Sequence, residues 1–454
     1  MTAFWLELKS VCKSYRFLAF ILVLLFFLVL NIQQYRTESA IVNTKQTEDI
    51  NSFLSISQSG LQSSESRYES FMAGDPLPKG DTEERRINML IYCKHRLKIA
   101  EALYKAYYDQ DWPAYNRYMA ERALMKWNVD VKDYNVLSPE LYFGERWNQY
   151  QALIEYVPEI FYSNIEQNTP YTEWIIFSTD YHLRLITVDL PPQNPNDTSP
   201  WGFTFNFLRR GLPDFLGLIV LLMTVSLLHR DRKTGTVKST LLTPKNRSYY
   251  LFKKTTLGFL ASILVIIIPL LITFLVLGIN SGFRGMESPV IMDKGLWKLA
   301  VVPEHGAIAK TGLDPSGYGE VGMSQFVASY GYFSNLDRLE FVPLWQFLSL
   351  AAILVIMFIL FCTVIGIFIS TLVRNEILAQ IVAVGVFALG SSLGTLLPGI
   401  KTTYLDLFAK VNAVPILEGN HATTYLGSLS ILFVMIIILF RLSVLVFKRQ
   451  DICD

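Results

Sequence analysis

The chain has 454 residues, 51% of them hydrophobic and only 17% charged, with a formal net charge of +1. That balance argues against an ordinary soluble domain and gives no reason to expect a nucleic-acid partner. The apolar residues gather in runs of about 20, the length that crosses about 30 Å of hydrocarbon as a helix, so where the charges lie matters more than their sum.

Residues 1–16, "MTAFWLELKSVCKSYR", predict an amphipathic interface helix. Phe4, Trp5, Leu8, Val11, Cys12 and Tyr15 recur at helical spacing, while Glu7, Lys9, Lys13 and Arg16 take the other face. Such a helix is expected to lie flat on the inner leaflet. The first span follows at 17–34; "FLAFILVLLFFLVL" is long for a signal sequence and has no small-residue cleavage site after it.

Residues 35–205 predict a mainly helical extracellular domain. Its first part, rich in Ser, Gln and Thr, reads as a stalk or linker. A helical hairpin is expected near 82–127, with Asp81 and Glu84 as a capping pair and Asp111 capping the second helix. A third helix is expected near 138–166, and "EWIIFSTDYHLRLITVDL" reads as a strand. The domain's tyrosines and tryptophans are expected to build a small core.

Five more spans complete an α-helical integral membrane protein of six transmembrane helices: 211–229, 255–278, 345–371, 377–397 and 424–441. The second and third, together 211–278, flank a loop at 230–254. A second extracellular segment, 279–344, is expected to fold against the first or cap a pore mouth. The last three spans occupy 345–447, with an outside, re-entrant-like segment at 398–423 and a cytoplasmic tail at 448–454. Lys and Arg cluster in the N-terminal segment, the 230–254 loop, the turn at Arg374 and the tail, which places both termini in the cytoplasm. Arg209 and Arg210 run against that rule.

Several motif matches fail on context. "GYGEVG" at 317–322 sits in a glycine-rich loop, without the strand and helix of a dinucleotide site. "GSSLG" at 390–394 lies at the end of a span with no triad partners nearby; Gly390 and Gly394 there read as a helix-packing pair. "AKT" at 309–311 is only a fragment of a phosphate loop, so ATP is not expected to bind this chain, and no cofactor is expected. The four cysteines and five histidines match no metal spacing, and no intrachain disulfide is expected. The spans hold almost no ionisable groups, which disfavours an ion-driven secondary transporter.

The loop "DRKTGTVKSTLLTPKNRSYYLFKK" is the most patterned polar stretch. "VKSTLL" predicts a short helix stopped at Pro244, held below the membrane between two continuous spans. In its order of Asp231, Gly235, Thr236, Leu241, Leu242, Pro244, Arg247 and Lys254 the loop resembles the coupling loop of type-2 ABC exporter permeases, where the acid is usually Glu. The interface helix, the six spans and the second cytoplasmic turn at Arg374, Asn375 and Glu376 are similar to that family as well. Some bacterial members carry an insertion like 35–205. The resemblance implies a cytoplasmic ABC ATPase subunit that binds ATP, a second permease chain in a homo- or heterodimer, contact with membrane lipid, and a bacterial plasma-membrane location. The chain itself would be a transport subunit and not an enzyme. A competing expectation is a membrane sensor or immunity protein whose extracellular domain binds a peptide or drug.

Overall fold

The computed structural model describes residues 2–76, 82–130, 143–154, 169–211, 213–234, 247–299, 318–327, 338–396, 406–421 and 423–449. The described part is mostly helical. Helix α1 (Thr2–Cys12) is followed by a turn and by α2 (Tyr15–Met72), whose N-cap Ser14 accepts from the Phe17 N–H. Helix α2 has 58 residues, about 87 Å at 1.5 Å per residue. It therefore runs well beyond the membrane thickness. The expected stalk is thus the same helix as the first span. Its polar composition hides a narrow apolar stripe, Ile50, Phe53 and the partly buried Leu54, which packs against α3 (Glu83–Tyr108).

The expected hairpin is α3 and α4 (Trp112–Asp130). Asp111 caps α4 through the Ala114 N–H, 3.2 Å away. The cap of α3 is Thr82, whose hydroxyl accepts from the Arg85 N–H; Asp81 lies outside the described residues. Of the third expected helix, the described part holds only α5 (Arg146–Gln151).

The stretch read as a strand is helix α6 (Thr169–Val188). Ile175 through His182 are all buried, so there is no solvent face to impose a helical period on the sequence. Its polar groups are satisfied internally. Asp180 accepts from Tyr150 at 3.1 Å and Arg184 at 2.9 Å, and His182 Nδ1 meets Asn116 Oδ1 at 2.9 Å. Burial, aided by the Arg122 charge, pushes the His182 pKa down to about 3 and keeps the ring neutral.

Helix α7 (Pro200–Asn206) and a π turn (Phe207–Gly211) lead into α8 (Pro213–Lys233), and α9 spans Arg247–Ser281. Among the described residues four strands follow. β1 (Pro289–Asp293) pairs antiparallel with β4 (Leu339–Pro343), with Ile291 opposite Phe341. β2 (Tyr318–Val321) and β3 (Ser324–Val327) form a hairpin. Ile291, Val321, Phe326 and Phe341 bury against Phe177 and Tyr181 of α6. The "GYGEVG" stretch ends at the hairpin turn, where Gly322 has φ +59°.

Of the four helices long and apolar enough to cross a membrane, α10 (Leu344–Leu372) is the most buried, with α11 (Glu376–Leu396), α8, α9 and α13 (Tyr425–Arg449) around it. The segment before α13 holds a 3₁₀ turn (Phe408–Val411) and α12 (Ala413–Leu417), both packed into the same core. Among the described residues, α2, α9, α10 and α13 are long and apolar enough to cross a membrane. Helices α8 and α11, 21 residues each, lie where the second and fifth spans are expected.

Small residues set the closest crossings. A methyl group at Gly366 of α10 would overlap Thr224 of α8, and one at Gly258 of α9 would come within 3.0 Å of Leu227. Replacing Gly366 by Val should cost about 1–3 kcal/mol through overpacking and lower the unfolding temperature in detergent. Gly385→Ala, where the added methyl meets nothing within 4 Å, should be neutral or stabilising by up to about 1 kcal/mol. A Gly366→Val chain that melts with the wild type would show that α8 and α10 are not in such close contact.

Candidate functional site

The ends of α1, α8, α9, α10, α11 and α13 meet at one end of the bundle, together with the start of α2. Alternating helix directions put them there, and their charges tie them together. Asp231, near the end of α8, accepts from the Tyr250 hydroxyl at 2.6 Å and pairs with Lys254 Nζ at 2.5 Å, both on α9. Lys254 also pairs with Glu7 of α1, whose other oxygen meets Lys253 at 2.6 Å. The Lys254 side chain is 3% exposed, so its ammonium has exchanged water for two carboxylates. Burial, and after it the Asp231 carboxylate, raises the Tyr250 phenol well above its ordinary range and keeps it a donor.

A second carboxylate organises the neighbouring turn. Glu376, first residue of α11, binds Arg16 at 2.7 Å and Lys233 at 2.6 Å. Asn375 caps the same helix by accepting from the Ile377 N–H at 2.9 Å. The α8–α10 contact is closed by His229, a buried residue that sequence reasoning did not single out. Its Nε2 lies 3.0 Å from the Val373 carbonyl, just past the end of α10, and its Nδ1 lies 3.0 Å from the Ser370 hydroxyl of α10. Arg247 donates to the Lys448 carbonyl at 2.8 Å, tying the start of α9 to the end of α13.

Of the expected coupling residues, Asp231 and Arg247 are thus placed at the two ends of the loop, and Arg374, Asn375 and Glu376 form the turn beside it. Gly235, Thr236, Leu241, Leu242 and Pro244 lie outside the described residues. Asp231 turns inward and is 9% exposed; it braces the loop's base and does not present its charge at the surface. Lys254 was legible in the motif, but Glu7 and Tyr250 were not. Their signal is the opposite sign of Glu7 within an otherwise basic segment, and its partner lies 247 residues away. Gly390 faces Phe408, whose ring a methyl group there would overlap; the side chain at position 394 lies outside the described residues.

The opposite end has its own buried pair. Arg209, in the π turn, pairs with Glu418 and donates to the Met323 carbonyl at 2.6 Å. Glu418 also accepts from the Gln325 N–H at 3.1 Å. This contact is what occupies the arginine that runs against the charge rule. Farther out, a groove of about 690 Å³ runs between α2, the α3–α4 hairpin, α6 and the β2–β3 turn, lined by Tyr107, Trp112, Trp174 and Tyr181 among others. Among the described residues no group of His, Cys, Asp and Glu is placed to hold a metal ion.

Residues 1–452 match the family described as ABC-2 family transporter protein. No curated protein and no solved structure matches the chain.

The charge chain gives a signed pH prediction. Burial raises the Glu7 pKa, but the hydrogen bonds and charges of Lys253 and Lys254 outweigh it, and the net shift is downward. A lowered carboxylate pKa contributes stability that is fully present above the ordinary glutamate range and is lost as pH falls through the lowered value. Hydrogen exchange of residues 2–12 should therefore be slow at neutral pH and accelerate only in acid below the ordinary glutamate range. Glu7→Gln should accelerate it already at neutral pH. Lys254→Met, which leaves Asp231 buried without its cation, should destabilise the chain by about 3–5 kcal/mol. Unchanged exchange in Glu7→Gln would remove this pair as the anchor of α1.

Proposed function

This chain belongs to the ABC-2 family of transporter proteins and is a multi-pass membrane permease component, and on that premise we propose that it forms the substrate pathway of an ATP-driven exporter. Six spans cross the bacterial plasma membrane, with both termini cytoplasmic. A separate ABC ATPase subunit binds and hydrolyses ATP, and docks at the 231–247 loop and the 374–376 turn. A second permease chain completes the pore. The domain at 35–205 stands outside, carried on the extension of α2.

The observation that carries this reading is the bracing of the loop. Asp231, Tyr250 and Lys254 join its two ends, Glu7 adds the interface helix, and Glu376 adds the neighbouring turn through Lys233. A floppy loop would absorb a push from a moving ATPase. A loop rooted in a charge network with Lys254 buried at its centre passes the displacement to α8 and α9 together, and through Gly366 and Gly258 to α10. Export then follows from one ATPase movement acting on three packed helices.

The outer groove favours a second reading, a sensor or resistance role in which the outside domain binds a peptide or drug. The two readings part at the ATPase. The chain should co-purify from its native membrane in mild detergent with a nucleotide-binding subunit and ATPase activity. Leu241→Ser/Leu242→Ser, which leaves the charge network untouched, should lower recovery of that subunit at least tenfold while the chain stays folded and monodisperse. If the abundant, folded wild-type chain brings down no nucleotide-binding subunit, the exporter reading fails and the sensor reading replaces it.

A further inference from the structure

A cleft of about 990 Å³ opens between the α1–α2 turn, the end of α8 and the start of α11, at the upper end of small-molecule sites, about 300–1,000 Å³. Five basic side chains line it: Lys9, Lys13, Arg16, Arg230 and Lys233. A single carboxylate, Glu376, stands against them, already engaged by Arg16 and Lys233. Arg230 donates to Ser10 at 2.8 Å. Lys9 and Lys13 have no partner among the described residues. The start of α2 also faces the cleft, and the N–H groups of Tyr15 and Arg16, at its first turn, have no helical carbonyl to bond. The surplus positive charge of the rim, with the free N–H groups beside it, therefore calls for an anion. The floor is different: Phe17 and Phe20 of α2 and Met223 and Leu227 of α8 line it, in the stretches that run into the membrane.

We propose that this cleft is a binding site for one anionic glycerophospholipid of the inner leaflet. Its phosphate sits among Lys9, Lys13, Arg230 and the α2 N-terminus, and its acyl chains run over Phe17, Phe20 and Met223. The leaflet rests on the orientation proposed above; the chemistry of the cleft does not. A free phosphate satisfies the rim and leaves the floor wet. A zwitterionic lipid covers the floor and leaves the surplus charge uncompensated. An anionic lipid does both, and it also wedges α1 against α8 beside the braced loop, so the occupant stabilises the coupling end of the bundle.

The test uses the full chain in phosphatidylcholine nanodiscs, with and without phosphatidylglycerol, comparing wild type with Lys9→Gln/Lys13→Gln and with a charge-matched control on α3, Lys94→Gln/Lys105→Gln. Native mass spectrometry counts retained phosphatidylglycerol, and thermal unfolding reads its effect. The expected result is one retained anionic lipid and a raised melting temperature for wild type and control. In the α1 variant the apparent affinity falls at least tenfold, while its melting temperature in pure phosphatidylcholine matches wild type. Equal phosphatidylglycerol binding by all three chains would overturn the site. Equal stabilisation by millimolar inorganic phosphate alone would overturn the lipid. Unchanged lipid binding with loss of the ATPase from the α1 variant would assign the cleft to a protein partner. Loss of lipid with the ATPase retained supports the lipid site, and it leaves the permease reading, which the loop variant decides, standing separately.

Discussion

The ammonium of Lys254 is the constraint around which the end of the bundle that carries the α8–α9 loop is built. A cation taken out of water is costly unless it is paired and hydrogen-bonded, and Lys254 is almost completely enclosed. Asp231 and Glu7 come to it from two other helices and offset that cost. That pairing brings the end of α8 beside the start of α9 and draws α1 beneath them. Tyr250 then completes Asp231 with a donor that burial keeps protonated. The loop between α8 and α9 thus begins and ends at one rigid point.

A comparable device closes the other end. Arg209 and Glu418 are buried against each other, and the β2–β3 turn supplies further partners through the Met323 carbonyl and the Gln325 N–H. Between the two charged ends, the bundle relies on apolar packing around α10 and on glycines that let α8, α9 and α10 approach closely. Lipid tails offer no hydrophobic drive for such association, so close packing and a few polar contacts must supply it. An arrangement that is stiff at both ends and closely packed between them is suited to moving as connected bodies. Apolar side chains remain exposed along α2, α9 and α13, as lipid-facing helices require.

Much of the helical architecture was legible along the chain. The apolar runs marked α2, α9, α10 and α13, because crossing hydrocarbon imposes a length and composition that nothing soluble needs. Asp111 announced α4, because capping is local chemistry between neighbours. Where local pattern and environment part company, the reading missed. Helix α6 looked like a strand because it is buried on nearly all sides and shows no amphipathic period. The stalk looked like a linker because few of its residues are apolar, and those that pack against α3 make only a narrow stripe.

The sequence by itself determined which stretches are long and apolar enough to cross a membrane, where basic residues gather and how the polar loop between α8 and α9 is patterned, because each depends on neighbours in the chain. Only the tertiary structure decided that Asp231 looks inward, that Glu7 belongs to the loop's base, that His229 ties α8 to α10, and that Arg209 has a buried partner. Those contacts join residues 19 to 247 positions apart. Their geometry follows from how helices pack, and the need to neutralise a charge out of water selects a partner by distance in space, about which a linear pattern of residue types carries no information.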